Sequence, residues 1–137
     1  MEKILEFNYD KIVDCSSSVA FWNYWDHEHL EVVHDGYDNF KILYEEKDLV
    51  YSVIDVSLPI IRLKVTTPMF MKQISKNQLV ACATQFGVLS KTTVNISDLD
   101  KDKCKINVNY KFYLNGWRRI LKPILTLLVP MWFNRVW

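Results

Sequence analysis

Apolar and polar residues alternate along the opening stretch of the chain. Leu5, Phe7 and Tyr9 are separated by Glu6, Asn8 and Asp10, the period of a strand with one buried face, which predicts a strand over Ile4 to Ile12. Ser16, Ser17 and Ser18 then offer caps for a short helix carrying Val19, Phe21, Trp22 and Trp25, because a serine oxygen satisfies the free amides of a first helical turn. Asp26 is a candidate cap for a second short helix, with Glu28 in its first turn and Asp35-Gly36 as the turn that ends it. From Asn39 the pattern returns to strands over Phe40 to Tyr44, Val50 to Val56, Ile61 to Val65, Leu79 to Phe86 and Ser90 to Ile96, parted by charged or turn-prone breaks. The clearest strand is the last. Ile106, Val108, Tyr110, Phe112 and Leu114 share one face, and Lys105, Asn107, Asn109 and Lys111 share the other.

Asn115-Gly116 ends that strand, and the segment from Trp117 onward is helical in period. Trp117, Leu121, Ile124, Leu128 and Met131 recur at helical spacing, while Arg118, Arg119, Lys122 and Arg135 supply a polar face. Pro123 and Pro130 remove backbone donors inside this segment and predict a kink or break near each. The apolar run from Pro123 to Phe133 is well short of the roughly 20 residues of a membrane span, so a core helix is expected rather than a transmembrane one.

One strand, two short helices, a meander of strands and a long terminal helix bury an apolar sheet face only if the sheet curls around that helix. The expected fold is therefore α+β of the helix-grip kind, a curved antiparallel sheet around a C-terminal helix with an apolar cavity between them. The expected cavity walls are Phe21, Trp25, Ile106, Val108, Tyr110, Phe112, Trp117, Leu121, Ile124, Leu128 and Met131. With 137 residues, one domain spanning 1–137 suffices, burying roughly two-thirds of the unfolded chain's surface.

Half the residues are hydrophobic and 14% are aromatic, against 24% charged, which excludes disorder. The net charge of +1 and the absence of a base-reading motif give no reason to expect nucleic acid as a partner. Charge is nonetheless uneven. Thirteen of the sixteen acids lie at or before Asp55, whereas Lys105 to Trp137 holds six cations and no acid. This local cationic segment predicts no stable membrane insertion and at most a weak, salt-sensitive contact with an anionic surface, because the helix's apolar face is expected to be used by the core.

Three cysteines, Cys15, Cys82 and Cys104, at wide spacings suggest neither a disulfide framework nor a metal knuckle. The opening Met1-Glu-Lys-Ile-Leu-Glu-Phe has no continuous apolar core of the kind a secretory signal requires, so a cytoplasmic location is expected. No Gly-x-Ser-x-Gly elbow is present, and three glycines cannot assemble a phosphate-cradling loop.

The segment Phe21-Trp-Asn-Tyr-Trp-Asp-His-Glu-His-Leu-Glu-Val-Val-His-Asp-Gly-Tyr37 and the ending Leu114-Asn-Gly-Trp-Arg-Arg-Ile-Leu-Lys-Pro resemble the helical entry and terminal helix of the SRPBCC, or START/Bet v 1-like, superfamily. That resemblance implies a ligand-binding cavity, in a superfamily whose functions run from lipid and hormone carriage to polyketide cyclisation. The expected function is binding of a mostly apolar small molecule that is lipid-, polyketide- or aromatic-like. The alternative is an enzyme using the same cavity, either cyclase-like or metal-dependent.

All three histidines, His27, His29 and His34, fall beside Asp26, and imidazoles near a carboxylate are raw material for a transition-metal site. Asp26-x-x-His29-x4-His34 is similar to the iron-binding segment of Rieske non-haem oxygenases. By that resemblance His29 and His34 are candidate ligands of a mononuclear iron or zinc ion, with Asp26 beside them. Residues five apart lie about 140° round a helix, so the two share a metal only where the helix ends between them. His27 points to another side and is not expected to ligate. The paired Cys-x-His and Cys-x-x-His of a Rieske cluster are missing, and no acid after Lys105 supplies a third ligand. A structural or ligand-orienting role for these histidines stays open beside the metal site.

Overall fold

The computed structural model describes residues 3–26, 36–57 and 63–136. Seven strands form one antiparallel sheet: β1 (Lys3–Val13), β2 (Tyr37–Glu46), β3 (Leu49–Ser57), β4 (Lys64–Ser75), β5 (Gln78–Gln85), β6 (Val88–Asp100) and β7 (Lys103–Leu114). Their order across the sheet is β1-β7-β6-β5-β4-β3-β2. The strands β2 to β7 are thus a continuous meander, and β1 joins beyond its last strand. Between β1 and β2 the chain must pass from one edge of the sheet to the other. Helix α1 (Ser17–Trp25) lies on that path and packs on β6 and β7.

Period-two patterning sets the sheet's inner face. On β7, Cys104, Ile106, Val108, Tyr110 and Leu114 are buried and Phe112 is half-buried, while on β1 Leu5, Phe7 and Tyr9 are half-buried between exposed neighbours. The outward residues of this pair bind each other in water. Asn109 Nδ2 donates to Glu6 Oε1 at 2.7 Å, Asn107 Nδ2 donates to Asp10 Oδ1 at 2.8 Å, and Lys105 lies 3.6 Å from Asp10. Each such exposed ion pair contributes little, so the ladder rests mainly on its apolar face.

Helix α1 is capped by Ser16, whose Oγ accepts from the Val19 amide at 3.4 Å. The helix ends at Asp26, whose amide donates to the Trp22 carbonyl at 2.8 Å. Asp26 therefore closes α1; the second short helix expected after it falls on 27–35, outside the described residues. Strand β4 differs from the sequence expectation of Ile61 to Val65. It runs to Ser75 through Pro68, which is tolerated because the β4–β5 ladder begins only at Met69↔Ala83 and leaves that edge of Pro68 without a donor requirement.

After β7 the chain forms a 3-10 helix, Gly116–Leu121, and then α2, Lys122–Val136. The expected break near Pro123 is this change of helix type, which places Pro123 in the first turn of α2, where its missing amide is of no consequence. Pro130 lies inside α2, which continues through it. Among the described residues no helix is long and apolar enough to cross a membrane.

Candidate functional site: a cavity between sheet and terminal helix

The inner face of the sheet divides into two halves. At the α1 end Ala20 and Phe21 pack against Ile96, Cys104, Ile106 and Val108 in a closed core. Toward the other end the inward side chains shrink and become polar: Leu79, Ala81, Ala83, Gln85 along β5 and Val94, Thr92, Ser90 along β6. Strand register places these small residues side by side. Met71, Ala81, Thr92 and Tyr110 form one row across β4 to β7, and Met69, Ala83, Ser90 and Phe112 form the next. Interiors close-pack where side-chain volume suffices, and here two adjoining rows lack it.

The result is a cavity of about 200 Å³, floored by these rows with Ile54, Val56 and Thr67, and roofed by Leu125, Leu128, Val129 and Trp132 of α2. Tyr24 and Tyr37 complete its wall. Trp132 stands edge-on to two tyrosines, 5.8 Å from Tyr37 and 6.3 Å from Tyr110 between ring centroids, and the adjacent Phe133 stacks on Tyr9 at 3.9 Å. Such ring pairs fix α2 over the sheet.

Polar groups in the wall are mostly turned on one another. Gln85 Nε2 donates to Thr67 Oγ1 at 2.8 Å, Thr67 Oγ1 donates to the Val65 carbonyl at 3.2 Å, and Ser90 Oγ donates to the Ala83 carbonyl at 3.3 Å. The indole Nε1 of Trp132 is the exception: it is buried and has no hydrogen-bond partner among the described residues. An unpaired buried donor costs about 1–3 kcal/mol. Burial pushes the phenol pKa values of Tyr24 and Tyr37 well above the ordinary tyrosine value, with Tyr110 adding to the shift in each. Both stay neutral across the physiological range and act as hydrogen-bonding groups rather than bases. Burial likewise raises the Cys104 thiol, with Cys15 beside it adding to the effect, so this thiol is the opposite of an activated nucleophile.

Of the wall residues expected from sequence, Tyr110, Phe112 and Leu128 line the cavity. Phe21, Ile106 and Val108 belong to the closed core, and Trp25 packs against it. Leu121 is half-buried outside the cavity. Trp117, Ile124 and Met131 point to solvent, at 69%, 51% and 40% exposure. This corrects the facing of the terminal helix. Trp117 itself faces solvent, so a stripe that starts from it follows the outer side of the helix through Ile124 and Met131, and only Leu128 at its margin reaches the cavity. The inward stripe is instead Leu125, Leu128, Val129 and Trp132. Tyr37 and the small residues of β5 and β6 were missed, although the alternation of Leu79, Ala81 and Ala83 carries the signal of the latter.

His27, His29 and His34 lie outside the described residues. Among the described residues no group of three His, Cys, Asp or Glu side chains offers a metal site, and Asp26 stands at the end of α1, held there by its backbone amide.

No family model and no curated protein matches the sequence. Solved structures do match in fold. The Zhui aromatase/cyclase from Streptomyces sp. R1128 superposes with a TM-score of 0.86 at 9% identity, over 97% of this chain and 88% of that one. A START superfamily protein from Mycobacterium smegmatis gives 0.72 at 13% identity, over 96% of each chain. Ara h 8.0201 gives 0.72 at 10% identity, over 97% of this chain and 95% of that one. At these identities the likeness is one of architecture, and the chain has the helix-grip fold of START and Bet v 1-like proteins.

Proposed function

We propose that the chain binds a compact, mostly apolar ring molecule carrying an oxygen acceptor, held in the cavity between the sheet and α2. The observation that carries this is the 200 Å³ hollow roofed by a tryptophan whose buried N–H has no partner among the described residues. An engineered apolar cavity of about 150 Å³ is enough to take up benzene. The volume here suits one or two fused rings better than a long acyl chain. A bicyclic ligand burying about 200 Å² would gain about 5 kcal/mol, a Kd near 0.2 mM. Meeting the Trp132 N–H with an acceptor adds about 1 kcal/mol, roughly fivefold.

Calorimetric titration with 2-naphthol tests the reading, with naphthalene for comparison. Binding of 2-naphthol at one site, several-fold tighter than naphthalene and abolished by Ala83→Leu, is the expected result. Failure of 2-naphthol to bind a folded protein at millimolar concentration refutes it.

A cyclase-like activity in the same cavity is the second reading. It is favoured by the two neutral phenols of Tyr24 and Tyr37 in the wall, which can donate to a carbonyl oxygen as it gains charge during enolisation. It also accords with the fold shared with aromatase/cyclases. Its test is turnover of a short poly-β-carbonyl substrate to an aromatic product above the buffer rate, lowered in Tyr24→Phe and Tyr37→Phe. No acceleration would leave binding alone.

A further inference from the structure

The terminal helix carries a second apolar face that the core does not use. Trp117, Ile120, Ile124, Leu127 and Met131 follow one another at spacings of three and four residues along the 3-10 helix and α2, and all are exposed, Ile120 at 71% and Leu127 at 60%. Residues three apart eclipse in a 3-10 helix and share a face in an α-helix, so these side chains form a single ridge. The expectation that the helix's apolar face would be used up by the core fails, because Leu125, Leu128, Val129 and Trp132 fill the inward side and leave a whole stripe outside. The ridge continues onto the sheet end. Phe86 at the β5–β6 turn is exposed, and the Arg118 guanidinium lies so close to Gly87 that a Cβ there would meet Nη2 at 2.5 Å, which ties that turn to the 3-10 helix. A contiguous apolar surface of this kind marks an interaction site.

Its border is cationic and unbalanced. Lys3, Arg118, Arg119 and Lys122 have no carboxylate at ion-pair distance among the described residues, whereas Lys105 and Lys111 farther along β7 do. The ammonium of Lys122 beside Lys3 holds the Lys3 pKa below the usual lysine value, and Arg119 adds to the effect. Like charges gathered beside an apolar ridge, in a chain whose net charge is only +1, call for an anionic partner.

We infer that this face docks the protein on the surface of an anionic phospholipid bilayer, the ridge from Trp117 to Met131 entering the headgroup boundary while Lys3, Arg119 and Lys122 meet lipid phosphates. Tryptophan at the edge of an apolar stripe, flanked by Lys and Arg, is the composition of an interfacial helix. A fluid surface also accepts a convex ridge without a shaped groove to match it.

Co-sedimentation of the full chain with vesicles of phosphatidylcholine and roughly 30 mol % phosphatidylserine tests this, with pure phosphatidylcholine as control. Strong binding to the anionic vesicles, weakened by salt, is the expected result. Each cation near such a surface is worth about fivefold in partitioning, so Arg119→Ala with Lys122→Ala should lower it about thirtyfold. Ile120→Ser with Leu127→Ser should lower it at every salt concentration. These positions are exposed, and unchanged thermal midpoints will show that the fold is kept. Ala83→Leu, which narrows the cavity, should sediment as the wild type does; its loss of sedimentation would mean that lipid is taken into the cavity and would overturn the docking face. Equal binding to neutral and anionic vesicles overturns it too. So does a dimer in sedimentation velocity that Ile120→Ser with Leu127→Ser dissolves, since the ridge then belongs to a second copy of the chain.

Discussion

Replacing Ala83 by leucine reads the cavity in two independent ways. Ala83 stands in the row between Met69 and Ser90, facing the hollow under α2. Leucine adds three carbons, each worth about 0.8 kcal/mol when buried, about 2.4 kcal/mol in all. Ordering its side chain costs about 0.5–1 kcal/mol, leaving a gain of about 1.5 kcal/mol. For 137 residues at about 2.1 cal/mol/K each, that raises the midpoint of thermal unfolding by about 5 °C. The same substitution at Ala20, which is 2% exposed within the closed core, has no void to enter and should destabilise by about 1–3 kcal/mol. Urea unfolding of both variants, alongside calorimetric titration with 2-naphthol, gives the comparison. Ala83→Leu should gain stability and lose ligand, and Ala20→Leu should lose stability. A destabilised Ala83→Leu would refute the argument, because it would mean that the rows of β5 and β6 are already packed against α2.

Other expectations follow from single residues. Trp132→Phe removes the buried indole N–H while keeping a ring between Tyr37 and Tyr110; the preference for 2-naphthol over naphthalene should vanish in paired titrations, with affinity for naphthalene kept within about threefold. Asp55 accepts from Asn39 Nδ2 at 2.9 Å and Thr66 Oγ1 at 2.8 Å, and these hydrogen bonds hold its pKa below the usual aspartate value. A carboxylate whose pKa is lower when folded adds stability that is present above its unfolded value, about 3.9, and lost as pH falls through the folded one. Urea midpoints measured through that acid range should therefore fall less steeply for Asp55→Asn than for the wild type, and identical slopes would sink the assignment. Gly87 has a φ of +72° and Arg118 stacked where a Cβ would go. Gly87→Ala should cost about 1–2 kcal/mol in denaturant unfolding, from the left-handed backbone and the displaced guanidinium.

Alternation along β1 and β7 by itself determined which side of the sheet is inside. A strand has only two faces, and Glu6, Asn8, Asp10, Lys105, Asn107 and Asn109 leave just one of them for the core. A serine cap within Ser16 to Ser18 and the stop at Asn115-Gly116 were equally legible, because caps and turns are chemistry between near neighbours, and the structure selects Ser16. The facing of α2 was not. From Ile124 to Phe133 only Thr126 is polar, so several stripes are equally apolar, and the choice fell to the fit of Trp132 between Tyr37 and Tyr110. That choice alone decides that one apolar stripe roofs a cavity and another faces outward. The cavity itself is also a tertiary fact. Ala81, Ala83, Ser90 and Thr92 are unremarkable small residues in their own strands; the β5–β6 hairpin sets Ala83 beside Ser90 and Ala81 beside Thr92, but they become a hollow only where Leu125, Leu128, Val129 and Trp132 of α2 close over them, a fit between distant elements that no local pattern encodes.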